Sequence, residues 1–290
     1  MKLGTVYGPG RIGLSYEVFP PKTEAGEGQV LETLEALMAF RPSFVSCTYG
    51  AGGSTRDKTL DLVAKIQQTF RITTAAHHTC VDFSVAEIRA WLRRATDLGI
   101  ENIVALRGDP PKEAGVFVPP PDGFAHANEL VAFIRREFPH FGVAVGGYPE
   151  THREASNPEE DLANLKRKVA AGADVVLTQL FYRNADFFEF RRRYQAAGIG
   201  VPLVPGILPV ISLHQIQRIV SLGGVTLPAE LLAALEARPD DPEGQLAVGV
   251  EYAVRQCREL LEVGVPGLHF YILNRAEAPR RILQALLPCG

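Results

Sequence analysis

Two carboxylates, one arginine and a run of polar helix positions carry most of the chemistry this 290-residue sequence offers. Glu17 sits in Ser15-Tyr16-Glu17-Val18-Phe19-Pro20-Pro21, a largely apolar run closed by two prolines. Strand alternation puts it on one face with Ser15 and Phe19, turned into a barrel interior or toward a helix layer. A carboxylate in such surroundings needs a partner or a raised pKa. Desolvated, it would serve as a general acid; paired with an inward arginine, it would be structural. Leu106-Arg107-Gly108-Asp109-Pro110-Pro111 is the second concentration. Gly108 lets a flat ligand approach the backbone, and the prolines stiffen the exit. Arg107 presents a planar fork to phosphate or carboxylate, while Asp109 can orient a ring nitrogen or a developing cation. The plain alternative is a strand-to-loop turn with a solvated Arg–Asp pair. Farther on, Asp161, Asn164 and Lys168 recur at i, i+3 and i+7 on one helix face. Such a stripe could hold a ribose and a diphosphate, or simply face water.

Several patterns fail on context. Gly8-Pro9-Gly10-Arg11-Ile12-Gly13 spells G-x-G-x-x-G, but it precedes a strand and opens no helix. His77 and His78 are adjacent on a strand and so point to opposite faces, and His152-Arg153-Glu154 adds no third ligand at fixed spacing. No metal site is therefore expected. Cys47, Cys80, Cys257 and Cys289 are far apart and read as reduced thiols. A net charge of −3 argues against a nucleic-acid or anionic-membrane partner. There is no long uncharged apolar run, and the first ten residues lack a secretory h-region, so a cytoplasmic protein is expected.

The elements that must position these groups follow from alternation along the chain. Strands are expected at Leu14–Phe19, Phe44–Thr48, Thr73–His78, Ile103–Arg107, Gly142–Gly147, Val175–Leu180, Leu203–Ile207 and Leu268–Leu273. Helical spacing fills the intervals: Glu27–Phe40, Arg56–Phe70, Val85–Leu98, Asn128–Phe138, Glu159–Ala171, Ala185–Ala197 and Leu213–Leu222, with Ala278–Leu287 at the end. Ser84 with Glu87 spells a capping box, Asn157-Pro158 a helix start, and Gly99, Gly172 and Gly198 helix ends. Eight strand–helix units, with strands apolar on both faces, predict an α/β fold of the (β/α)8 TIM-barrel type. A doubly wound open sheet is the rival. Between the last two strands, Thr226–Gly264 adds a short helix (Pro228–Ala237), an acidic turn and a long helix, read as an insertion within a single domain spanning 1–290. In a barrel the active site lies at the C-terminal strand ends. Those ends carry Glu17, Thr48, His77 and His78, Arg107 to Asp109, Tyr148, Gln179 and Asn274-Arg275.

The segments SYEVFPPKT, FVSCTYGAGGSTRDKT, HHTC, IVALRGDPP, GGYPE-x-H, DLANLKRKVAAGAD, TQLFY, PGILPV and HFYILNRAE occur in this order over nearly the whole chain. In that order they resemble the 5,10-methylenetetrahydrofolate reductase family. The resemblance implies a (β/α)8 barrel that binds FAD without a Rossmann motif. It also implies reduction of 5,10-methylenetetrahydrofolate to 5-methyltetrahydrofolate by NADH or NADPH, in one-carbon and methionine metabolism. Carried over by position, Glu17 resembles the general acid that opens the folate ring, and Asp109 the carboxylate beside flavin and pterin. Thr48, Gln179, Gln215 and Arg275 match substrate-contacting positions. The FAD positions fall on Tyr49, Ala51, His77, Arg107, Gly108, Asp109, Ala127, Tyr148, His152, Ala155, Asp161, Asn164, Arg167 and Lys168. Departures are His126 where relatives carry Tyr, Gly146-Gly147 in place of a bulkier pair, and Ile219 where an aromatic can stack. The family implies a homo-oligomer. With the sequence closing soon after the last helix, the C-terminal regulatory domain of eukaryotic relatives and its S-adenosylmethionine control are not expected. The carboxylates alone would also permit a barrel hydrolase using Glu17 and Asp109, and the pocket alone a non-catalytic flavin or folate binder.

Overall fold

The computed structural model describes residues 1–8, 12–48, 56–109, 117–223 and 225–286. Eight strands, β1 (Gly13–Val18), β2 (Phe44–Cys47), β3 (Thr73–Thr79), β4 (Asn102–Leu106), β5 (Gly142–Gly147), β6 (Val175–Leu180), β7 (Leu203–Ile207) and β8 (Gly267–Tyr271), follow one another around a closed barrel. Every pairing is parallel, and β8 closes on β1 with Ser15 opposite His269 and Glu17 opposite Tyr271. The open-sheet rival is thereby set aside.

The helices are α1 (Leu3–Val6), α2 (Glu24–Met38), α3 (Arg56–Phe70), α4 (Val85–Asp97), α5 (Ala127–Glu137), α6 (Pro158–Ala170), α7 (Asn184–Ala196), α8 (Leu213–Gly223), α9 (Ala229–Glu236), α10 (Pro242–Glu262) and α11 (Glu277–Leu286). From α2 onward they follow the strands in turn. Their apolar stripes pack on the outward strand residues. In α4, Ile88, Trp91, Leu92 and Ala95 are buried at i, i+3, i+4 and i+7, and Trp91 meets the outward ring of His78 at 4.4 Å. Each such large side chain withdrawn from water contributes about 1.5–3 kcal/mol. The caps form as their sequences require. Ser84 and Glu87 bond reciprocally, Asn157 accepts from Glu160 N–H at 2.8 Å, and Gly99, Gly172 and Gly198 take positive φ. The three helices α8, α9 and α10 lie between β7 and β8, where α9 packs Leu231 and Leu235 against Tyr182, Val210, Ile216 and Val225. No described helix is long and apolar enough to cross a membrane.

The feature absent from the sequence-based expectations is α1, one turn that plugs the N-terminal end of the barrel. Leu3, Val6 and the following Tyr7 are buried with the inward residues Phe44, Ala75, Val104, Ala144, Val175 and Val204, one from each of β2 to β7. Asn102 fixes the plug: its Oδ1 accepts from Leu3 N–H at 2.9 Å, and its Nδ2 donates to Met1 O and Thr74 O. Four residues are too few for periodicity to register, and alone they would form no stable helix.

Candidate active site

At the C-terminal strand ends a cavity of about 300 Å3 gathers Glu17, Thr48, His77, Arg107, Gly108, Asp109, Tyr148, His152 and Gln179, nine residues singled out from the sequence. Its floor is apolar, formed by Val104, Leu106 and Leu177. Gln215 and Arg275 stand apart, in an adjoining narrow cleft that shares Tyr271 with the main cavity. Ala127, Ala155, Asp161, Asn164, Arg167 and Lys168 do not line the cavity directly. Tyr49 and Ala51 lie outside the described residues. Larger grooves occur on the outer faces of α10 and α11 and beside α9, away from the strand ends.

Glu17 points inward, and no arginine meets it among the described residues. Its Oε2 lies 3.3 Å from His77 Nε2 and 3.4 Å from His269 Nε2. Burial alone pushes its pKa up, but the charge of His77 and the hydrogen bonds and charge of the two histidines outweigh burial and hold it at about 2. The expectation that desolvation leaves Glu17 protonated is therefore corrected. His269 is fixed in turn: its Nδ1 lies 2.8 Å from Ser15 Oγ, and its ring stacks on Phe44 and meets Tyr271 edge-on at 5.1 Å. Gly206 makes room for Tyr271, since a Cβ there would fall 2.6 Å from the Tyr271 ring. The Tyr271 hydroxyl donates to Thr178 O at 2.6 Å. Neither His269 nor Tyr271 figured among the sequence candidates. Carrying period two along His269-Phe270-Tyr271 would have placed both inside.

The Arg107–Asp109 turn also differs from the simple pair. Arg107 bonds Glu154 with both terminal nitrogens, Nη2 at 2.7 Å, and its guanidinium lies over the Phe117 ring at 5.3 Å. The Glu154 hydrogen bonds raise the Arg107 pKa, and the same bonds lower that of Glu154. Asp109 has Arg153 near it, at 3.5 Å, and its side chain is 77% exposed. Gly108 has φ +88, and a Cβ there would lie 2.8 Å from Val81 and 2.9 Å from Thr79. Only glycine lets the chain leave β4 by this route.

The α6 stripe is not a plain solvated face. Asp161 is buried and accepts the His152 backbone N–H at 3.0 Å; burial raises its pKa. Lys168 reaches back to donate to Gly146 O at 2.6 Å, and burial pushes its pKa down to about 8. Asn164 accepts from Arg167. Tyr148 lies between the His152 ring at 4.6 Å and the Lys168 ammonium at 5.8 Å. Burial, and then the charge of Arg107, lowers the His152 pKa. Ala155 N–H donates to His152 O and closes the loop that presents this ring. No group of three or more His, Cys, Asp or Glu side chains placed to hold a metal occurs among the described residues.

A family model described as methylenetetrahydrofolate reductase matches residues 3–287. The chain is 38% identical to the 5,10-methylenetetrahydrofolate reductase of Escherichia coli, over 96% of this chain and 91% of that protein. It is 39% identical to methylenetetrahydrofolate reductase (NADH) 1 of Arabidopsis thaliana, over 98% of this chain and 50% of that protein. It thus spans about half the length of the plant relatives it matches. Among solved structures, an uncharacterised protein from Clostridium thermocellum that binds two copies of 5-methyl-5,6,7,8-tetrahydrofolic acid aligns with TM-score 0.64 at 16% identity, over 95% of this chain and 94% of that one. That likeness is one of fold.

Proposed function

The chain belongs to the methylenetetrahydrofolate reductase family, and on that premise we propose that it reduces 5,10-methylenetetrahydrofolate to 5-methyltetrahydrofolate, using NADH or NADPH and a bound FAD in a ping-pong cycle. The observation that carries the reading is the pairing of Glu17 with His77 in the lining of a cavity whose walls suit a flat cofactor, with His269 against the same carboxylate oxygen.

The residues present fit FAD. A Cβ added at Gly146 would meet nothing closer than 3.6 Å, so that wall is left open by the absence of a side chain. His77 Nδ1 is buried in the cavity lining without a hydrogen-bond partner among the described residues. Arg107, Arg167 and Lys168 would hold the diphosphate, with Asp161, Asn164, His152 and Tyr148 around them. Ala127, Ala155, Gly108 and Asp109, with Tyr49 and Ala51, complete the set by analogy. Bound there, FAD would supply the hydride-carrying chemistry between nicotinamide and folate.

The chain itself manages the proton. Glu17, His77 and His269 form one coupled group, so a proton gained by the cluster belongs to all three. The two imidazoles that face it hold the carboxylate ionised at rest. A proton carried on Glu17 Oε2 is delivered to the folate amine as the imidazolidine ring opens. Asp109, at the rim, faces the cationic character that results. Thr48 and Gln179 flank nicotinamide or folate, and Gln215 and Arg275 in the adjoining cleft suit the anionic remainder of a folate. The span 1–290 is read as one catalytic barrel domain, working in the cytoplasm as a homo-oligomer. A hydrolase using Glu17 with Asp109 draws no support from the exposed, Arg153-facing position of Asp109.

The purified protein should bind FAD, lose the visible absorbance on adding NADH or NADPH without oxygen, and regain it on adding methylenetetrahydrofolate. Absence of any FAD uptake would sink the reading. Recolouring by quinones but never by the folate would leave a flavin binder. Glu17→Gln should keep the nicotinamide step and slow the folate step about 10²–10⁴-fold, the range for loss of a general acid. Equal loss in both steps would overturn the role given to Glu17.

A further inference from the structure

A hydrogen-bonded line runs down the barrel axis from the cavity to the plug. Glu17 Oε2 faces His269 Nε2 at 3.4 Å, His269 Nδ1 faces Ser15 Oγ at 2.8 Å, and Ser15 Oγ faces the Tyr7 hydroxyl at 3.2 Å. The last link is built rather than incidental. Gly13 and Gly267 are register partners at the start of β1 and β8, and a Cβ on either would fall 2.5 or 2.7 Å from the Tyr7 ring. The barrel gives up two side chains to admit that ring, which Phe44 meets edge-on at 6.2 Å.

The direction of the line follows from counting donors. Ser15 Oγ is the hydrogen-bond partner the Tyr7 hydroxyl has among the described residues. If Ser15 donated to Tyr7, the buried phenol proton would have no acceptor, a costly arrangement. Tyr7 therefore donates and Ser15 accepts. The Ser15 proton then goes to His269 Nδ1 at 2.8 Å in preference to Leu268 O at 3.5 Å. An Nδ1 that accepts leaves a neutral imidazole with its proton on Nε2. We propose that Tyr7 is a positioning residue: acting through Ser15, it holds neutral His269 in the Nε2–H tautomer, with that N–H aimed at Glu17.

The titratable groups facing the Glu17–His269 pair are His77 from β3, Cys47 from β2, Tyr271 from β8 and Tyr7 from the plug. Of these, Tyr7 is the one bonded to Ser15. The inward residues of β4 to β7 that pack with the plug, Val104, Ala144, Val175 and Val204, are apolar. In Tyr7→Phe the ring and its packing stay. Ser15 is then free to donate to Leu268 O and accept from an Nδ1–H. The proton of neutral His269 moves from Nε2 to Nδ1, and the bare Nε2 favours a protonated Glu17. The tautomer does not depend on the reaction proposed above; its use in delivering a proton to the folate rests on that reading.

Nitrogen NMR of protein carrying 15N-labelled imidazoles reads the tautomer directly, the His269 signals being assigned by their loss in His269→Gln. The wild type should show a bare Nδ1 and a protonated Nε2 in the neutral ring. Tyr7→Phe should move the Nε2–H to Nδ1–H ratio about tenfold toward Nδ1–H, the scale of one hydrogen bond. Ser15→Ala, which cuts the line one link nearer, should also erode the preference, so the proposal stays testable if Tyr7→Phe folds poorly. A wild-type ring protonated on Nδ1, or an unchanged tautomer in the variants, would overturn it. In the folate step, Tyr7→Phe should carry the alkaline limit of the rate up by about one pH unit, because the acid form of Glu17 survives longer. If the wild type never reduces the folate, the reaction assigned above fails, while the NMR result still decides the role of Tyr7.

Discussion

At the scale of single residues, the site works by setting charges against burial. Glu17 keeps its charge because two imidazoles lie within 3.4 Å, while Lys168 is pulled toward neutrality because burial outweighs the charge of Asp161. For Lys168 the sign is open to test. Its pKa of about 8 lies below the ordinary 10.5, so below pH 8 the folded chain carries the buried charge at a cost, and the cost is relieved as pH rises from 8 to 10.5. An anionic diphosphate beside it would favour the ammonium and restore the proton. FAD affinity, titrated by flavin fluorescence, should therefore be flat below pH 8 and fall above it, up to about tenfold per pH unit. Lys168→Met should bind FAD more weakly and lose that pH dependence. Glu17 itself was legible from the sequence as an inward carboxylate. What was not legible was its ionisation, because that is set by His77 together with His269, the latter more than 250 residues away and brought alongside only when β8 closes on β1.

At the scale of elements, the strand ends are held by side chains that substitute for missing backbone pairing. Past the end of β8, Leu273 and Asn274 take φ of +48 and +55, a region that asparagine tolerates better than leucine. The Asn274 side chain then donates to Phe19 O at 2.8 Å and accepts from Phe19 N–H at 3.1 Å, adding a rung between the exits of β8 and β1. That rung ties the Glu17 strand to the loop bearing Arg275. Asn274→Ala should cost about 1–2 kcal/mol in denaturant unfolding, and should raise the KM for the folate more than it lowers kcat, because Arg275 loses its fixed neighbour. The strands and outer helices were readable from alternation and caps, as at Ser84 and Asn157, because those signals are local. The sequence singled out Asn274-Arg275 as a polar strand end. The pairing of Asn274 with Phe19 is a contact across the closure, and no local pattern encodes it.

For the whole molecule, closure of the barrel makes one end chemical and the other structural, and the plug joins the two. Leu3 and Tyr7 are neighbours in α1 and its exit, but they bear on different properties. Leu3 is fully buried against the inward residues of the barrel and reaches no polar group of the axial line with its side chain, while Tyr7 contributes both a packed ring and a hydroxyl. Leu3→Ala removes apolar volume from a site walled by strands that cannot collapse, so a loss of about 2–5 kcal/mol in unfolding free energy is expected. The His269 nitrogen signals should stay as in the wild type at temperatures where the variant is folded. Tyr7→Phe should do the reverse, shifting the tautomer at little cost in stability, since the ring still fills the slot opened by Gly13 and Gly267. Were Leu3→Ala to change the tautomer as much as Tyr7→Phe does, the plug would be acting through general packing and the hydroxyl would lose its special role. Measured together, unfolding curves and imidazole spectra thus separate what the plug does for the fold from what it does for the proton at Glu17.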